Sequence, residues 1–166
     1  MVNLECLTLE SVNLKDSIFQ GLVRLERIEL IDCYFNHFKS ESFRYVSNLE
    51  GLIITRPKRY ANIKFEELVK LKWLNLVELP DYLKSFNFEK RPTFILELSN
   101  LTYLKIEFYI FTSIIPEWFS RIPKLKTLDL SESQSIQLKK ESFSFLRNLT
   151  SLCLRYNRIS QFDDGV

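Results

Sequence analysis

The 166-residue sequence is poor in the residues that most chemistries require: it has one histidine, three glycines and three cysteines. The lone His37 has no Cys, Ser or Asp at a spacing that makes a catalytic triad or a metal site credible. Gly21, Gly51 and Gly165 form no phosphate-cradling loop. Catalysis, a cofactor and a metal are therefore not expected. Three cysteines do not make a disulfide framework. Net charge is also nearly lacking, with 23 basic against 21 acidic residues, so there is no global pull towards nucleic acid or an anionic membrane. Neither is expected as a partner. The longest basic cluster, Arg56-Pro57-Lys58-Arg59-Tyr60, reads as a solvated loop. No apolar run approaches the roughly 20 residues of a membrane span, since Lys105 and Glu107 interrupt the most apolar stretch, Leu101 to Ile115. Met1-Val2-Asn3-Leu4-Glu5 lacks the basic start and apolar run of a signal peptide, so any such segment is expected outside this chain.

What is present is a spacing. In Leu149-Thr150-Ser151-Leu152-Cys153-Leu154-Arg155-Tyr156-Asn157-Arg158-Ile159 the apolar residues fall at offsets 0, 3, 5 and 10, with an amide at offset 8. Neither a lone strand nor a lone helix needs that pattern. A coil of a parallel β-solenoid does: a short strand near Leu152 to Leu154 sends alternate side chains inward, and the chain then turns so that Asn157 and Ile159 also face the core. An amide suits offset 8 because it can bond backbone groups of adjacent coils that would otherwise be buried and unpaired.

The template recurs at Leu4/Leu7/Leu9, Leu25/Ile28/Leu30, Leu49/Leu52/Ile54, Leu71/Leu74/Leu76, Leu101/Leu104/Ile106 and Leu125/Leu128/Leu130. Ahead of each coil after the first runs a second pattern in phase with it: Phe19/Leu22, Phe43/Val46, Phe65/Leu68, Ile95/Leu98, Phe119/Ile122 and Phe143/Leu146. About seven coils therefore start at 4, 25, 49, 71, 101, 125 and 149, separated by 21, 24, 22, 30, 24 and 24 residues.

This pattern resembles the leucine-rich repeat, LxxLxLxxNxL. The modal 24-residue step with its leading Phe is similar to the class typical of extracellular proteins such as Toll-like receptor ectodomains and small leucine-rich proteoglycans. The resemblance implies an α/β solenoid: a curved parallel sheet on the concave side, backed by short 3₁₀ or irregular segments on the convex side. It covers residues 1–166 as a single array. It also implies non-catalytic recognition of another macromolecule, a protein of unknown identity, by an extracellular or cell-surface receptor or adhesion ectodomain. The alternative is an intracellular, cytoplasmic interaction module such as a ubiquitin-ligase adaptor or signalling scaffold, which unpaired cysteines suit; a structural matrix protein is a third possibility.

Stacked coils need polar caps on their open faces. Neither end carries one, so further repeats are expected at both ends, the alternative being cover by oligomerisation. The ladder positions at offset 8 are Val12, Cys33, Pro57, Leu79, Tyr109, Ser133 and Asn157. Only the last is the amide that the resemblance implies. Pro57 has no N–H, so the ladder is expected to break or bulge there and the horseshoe to lose regularity near the middle. Cys33 is expected to be a buried thiol standing in for Asn. Cys6 and Cys153 sit at outward positions six coils apart, roughly 30 Å at about 4.8 Å per strand, beyond disulfide reach. A buried Leu152 would cost about 2 to 5 kcal/mol on truncation to Ala.

The fourth coil is long, with its excess at residues 81–92, and insertions in solenoids map to loops, often on a binding face. Offsets 2 and 4 of each strand point away from the core and form two columns: Cys6, Arg27, Gly51, Trp73, Tyr103, Thr127, Ser151, and Thr8, Glu29, Ile53, Asn75, Lys105, Asp129, Cys153. Their centre, with Arg27, Glu29, Trp73, Asn75, Tyr103, Lys105, Thr127, Asp129 and the adjacent Phe108, is the candidate partner-binding face, because exposed aromatics beside charge are the composition of binding hot spots. Trp73 packed beneath the insertion is the competing reading. Glu5, Glu10, Glu26, Glu29, Asp32 and Glu50 make the first three coils acidic. Asn100-Leu101-Thr102 and Asn148-Leu149-Thr150 are acceptor triplets for N-linked glycans in a secreted protein, although polar residues around the obligatory Leu write the same triplet.

Overall fold

The structure, a computed structural model, describes residues 3–59, 63–79, 98–107, 114–132 and 135–162. The insertion at 81–92 and Phe108 lie outside the described residues, as do Tyr109 and Ser133. The main sheet has seven parallel strands in chain order: β1 Cys6–Glu10, β3 Arg27–Ile31, β5 Gly51–Thr55, β6 Trp73–Val77, β7 Tyr103–Ile106, β8 Thr127–Asp129 and β10 Ser151–Cys153. Smaller parallel pairs join β2 Asn13–Lys15 to β4 Tyr34–His37, and β9 Ser135–Leu138 to β11 Arg158–Phe162. Strands this short alternate inward and outward, and the inward Leu and Ile of interior coils are buried: Ile28, Leu30, Leu52, Ile54, Leu74, Leu76, Leu104 and Ile106.

Two backbone devices repeat from coil to coil. Before each strand, one carbonyl accepts two N–H groups of the next coil: Glu50 and Gly51 donate to Glu26, Lys72 and Trp73 to Glu50, Thr102 and Tyr103 to Lys72. After six of the seven main-sheet strands comes a residue with positive φ: Ser11, Asp32, Arg56, Glu78, Glu132 and Tyr156, all at offset 7 and between 48° and 61°; the matching position after β7 lies outside the described residues. Left-handed backbone is unfavourable for non-glycine residues. Here it aims the N–H at the next coil: Ser11 donates to Ile31 O at 2.9 Å, Asp32 to Thr55 O at 2.9 Å and Arg56 to Val77 O at 3.0 Å.

The convex side carries short 3₁₀ helices at Ser40–Val46 and Pro116–Phe119. Beneath it the aromatic column forms a spine, with ring centroids 6.0 Å apart for Phe19 and Phe43, 5.7 Å for Phe43 and Phe65, and 6.3 Å for Phe119 and Phe143. No helix among the described residues is long and apolar enough to cross a membrane.

Two expectations are corrected. Pro57 does not interrupt the main sheet: β5 pairs with β3 and β6 across all five residues without a register shift. Among the described residues the secondary ladder at this coil is a bridge between Tyr34 and Lys58. Here Lys58 N–H donates to Cys33 O at 2.8 Å and Lys58 O accepts from Phe35 N–H at 3.0 Å. The sheet therefore stays continuous through the middle. Leu152 is 39% exposed, because β10 pairs with β8 on one side and with no strand on the other among the described residues. A fully buried core leucine is therefore the wrong reference for truncating it.

Candidate functional site

Strand register assembles both outward columns. Cys6, Arg27, Gly51, Trp73, Tyr103, Thr127 and Ser151 are successive partners across the sheet, and so are Thr8, Glu29, Ile53, Asn75, Lys105, Asp129 and Cys153. A fixed offset within each coil is sufficient for this, since in-register parallel pairing puts equal offsets side by side.

At the centre of the first column the side chains meet across a gap. Gly51 lies between Arg27 and Trp73, and a Cβ on it would fall inside the Trp73 indole. The ring therefore lies over the β5 backbone and reaches β3, where the Arg27 guanidinium sits 5.0 Å from its centroid. Such a cation–π contact stabilises by about 0.5–1 kcal/mol at an exposed site. Arg27 is exposed and forms no ion pair among the described residues, whereas Trp73 and Tyr103 are half-buried. Burial, and then the nearby Asp129 carboxylate, push the Tyr103 phenol above its ordinary pKa.

The second column is more self-contained. Lys105 forms an ion pair with Glu107, whose hydrogen bond holds the ammonium above the ordinary lysine pKa. Asp129 is 8% exposed, and its Oδ1 accepts the Ser131 N–H at 3.0 Å. Both point outward, but their charge is already met by neighbours. Glu29 and Thr127 are half-buried, and so is Asn75, whose Oδ1 is buried without a hydrogen bond among the described residues. The competing reading, Trp73 beneath the insertion, lies outside the described residues.

The acidic end is partly neutralised. Arg56 binds Asp32 through Nη2 at 2.9 Å and Nε at 3.2 Å, and Lys58 adds a contact at 3.1 Å. The Arg56 hydrogen bond, followed by that of Lys58, holds the Asp32 carboxyl below its ordinary value. Lys72 likewise bonds Glu50 at 2.7 Å.

All three cysteines are free thiols. Cys33 is buried, and its Sγ donates to Leu9 O at 3.4 Å, the same coil-to-coil bond that Asn157 Nδ2 makes to Leu130 O at 2.8 Å. Cysteine thus takes the amide's place at offset 8. Among the described residues no group of three or more His, Cys, Asp or Glu could hold a metal.

The sequence reading missed the left-handed column and the Gly51 cradle. Gly51 carried a signal, as the only glycine in a strand position.

A stack of parallel coils with an outward strand face defines a β-solenoid recognition scaffold. Residues 99–159 match the leucine rich repeat family model. Mouse Toll-like receptor 9 is 28% identical across 91% of this chain, and tomato (Solanum lycopersicum) receptor-like protein EIX1 is 33% identical across 52% of it. The alignments span 15% and 8% of those two proteins. In the crystal structure of the TLR13–ssRNA13 complex, a chain with 25% identity superposes on 96% of this one at a TM-score of 0.69, the match taking in 23% of that chain. The chain is a leucine-rich-repeat protein resembling Toll-like receptor ectodomains. Such arrays are typically non-enzymatic recognition modules. Because TLR13 was crystallised with single-stranded RNA, the relatives lend no weight to the expectation that nucleic acid is excluded.

Proposed function

We propose that residues 1–166 form one array of about seven coils, with 81–92 as its insertion, and that its concave sheet binds a protein ligand as part of an extracellular or cell-surface receptor. The observation that carries this reading is the Arg27–Trp73 pair laid across Gly51. It is a large aromatic surface with an adjoining cation that forms no ion pair among the described residues, held in place before any partner arrives. Preorganised aromatic and arginine anchors of this kind contribute disproportionately to binding. Glu29, Asn75, Tyr103 and Thr127 flank the anchor, and Phe108 is assigned with them. Lys105 and Asp129 contribute less, because each is already bonded within the chain. The extracellular setting rests on the Toll-like and receptor-like relatives.

The test is a photo-crosslinking amino acid placed at Thr127 on the concave face, or at Glu66 on the convex face, of the full-length parent protein in its own cells. A protein adduct from 127 and none from 66 supports the reading, and Trp73→Ala then weakens that partner's affinity tenfold or more. Adducts from 66 alone, or unchanged affinity, would remove the concave centre from consideration. Single-stranded RNA is the second reading, favoured by the likeness to the TLR13 complex; a nuclease-sensitive adduct selects it. Three free thiols favour the intracellular module, and recovery of the parent protein solely from cytosol selects that.

A further inference from the structure

We propose that Asn100-Leu101-Thr102 and Asn148-Leu149-Thr150 are clamps between coils rather than carriers of glycans. The residue just before each coil's leading Leu alternates in kind: Asn3, Arg24, Asn48, Lys70, Asn100, Lys124, Asn148. Each of the last three asparagines donates Nδ2–H to the carbonyl two residues before the leading Leu of the preceding coil. Asn48 bonds Val23 O at 3.0 Å, Asn100 bonds Val69 O at 2.8 Å and Asn148 bonds Pro123 O at 2.8 Å. The amide oxygens of the first two accept from the following coil: Lys70 Nζ donates to Asn48 Oδ1 at 2.7 Å, and Lys124 Nζ to Asn100 Oδ1 at 2.7 Å. One side chain thereby ties three coils, and the edge repeats every two coils rather than every one.

The threonines write the rest of the triplet. Thr102 Oγ1 donates to Lys72 O at 2.9 Å and Thr150 Oγ1 to Lys126 O at 3.1 Å. Each of these carbonyls already accepts two backbone N–H groups, so the hydroxyl is the weaker half of the clamp. Asn48-Leu49-Glu50 decides between the readings. It has the same amide bonds and is not a glycan acceptor, so the position selects Asn without reference to any sugar. Nδ2 is also the atom that a glycan would occupy. Planar secondary amides are trans, which would put the sugar carbon beside Oδ1, where Lys124 Nζ sits at Asn100.

The full chain made in a bacterial cytoplasm, which attaches no such glycan, separates the two roles. Asn48→Ala, Asn100→Ala and Asn148→Ala are each expected to lower the folding equilibrium constant roughly 3- to 10-fold, within the range for about one net hydrogen bond, with Asn148→Ala the mildest. A loss at Asn48 with no change at Asn100 and Asn148 would overturn the proposal. Peptide mass mapping of the wild-type chain secreted from glycosylating cells is expected to find both asparagines unmodified; a glycan on either one overturns it independently of the variants.

Discussion

Leu74 and Leu152 hold the same place in their coils and meet different surroundings. Leu74, in β6 between β5 and β7, is fully buried, while Leu152, in β10 with β8 alone beside it among the described residues, is 39% exposed. The two coils share one template, so the difference lies in what is stacked against them. Burial in such an array is conferred by neighbouring coils rather than by a residue's own coil.

The largest expected effect tests that contrast. Leu74→Ala should destabilise the chain by about 2–5 kcal/mol, as truncation of a buried leucine does, and Leu152→Ala by less than about 2 kcal/mol, since little new cavity opens around a side chain already in contact with solvent. Urea unfolding monitored by circular dichroism measures both, and equal losses would break the comparison.

Next in size is the concave surface of the interior coils. Gly51→Ala forces the Trp73 ring off β5, because its new Cβ needs the space the indole fills. Overpacking of this kind costs about 1–3 kcal/mol. Tryptophan fluorescence should shift as the ring moves to solvent, and Arg27→Ala should give a smaller shift in the same direction.

The smallest effect is in the thiols. Burial pushes the Cys33 thiol above its ordinary pKa, so its contribution to stability is present below the ordinary value of 9.0 and is lost as pH rises through the raised one. In the last coil, a contact with Ser131 Oγ at 3.1 Å, then the Arg155 backbone, lowers the pKa of Cys153. Reactivity follows thiolate and access. Iodoacetamide at neutral pH should therefore modify Cys153 well before Cys33, and Ser131→Ala should move the Cys153 labelling profile to higher pH. Mass spectrometry of the labelled peptides gives the order.

Much of the fold was legible because the leucine spacing carries geometry. Offsets 3 and 5 face inward, offsets 2 and 4 outward, and parallel in-register pairing turns those offsets into columns such as Arg27, Gly51, Trp73 and Tyr103. Pro57 is expected to break the offset-8 ladder and with it the regularity of the horseshoe, yet the main sheet runs on unshifted, because position 57 lies beyond the end of β5. Lys105 was legible as an outward charge beside Tyr103, but its ion pair with Glu107 shows only once both side chains are placed.

The sequence by itself determined the coil boundaries, the inward set and the outward columns, because all of these follow from spacing within one coil. Only the tertiary structure decided which side chains pair across coils: Trp73 over Gly51 onto Arg27, Asn100 between Val69 and Lys124, and Asp32 with Arg56. Each of these contacts joins residues more than twenty positions apart, so it depends on the size and charge of whatever the neighbouring coil presents at the matching offset.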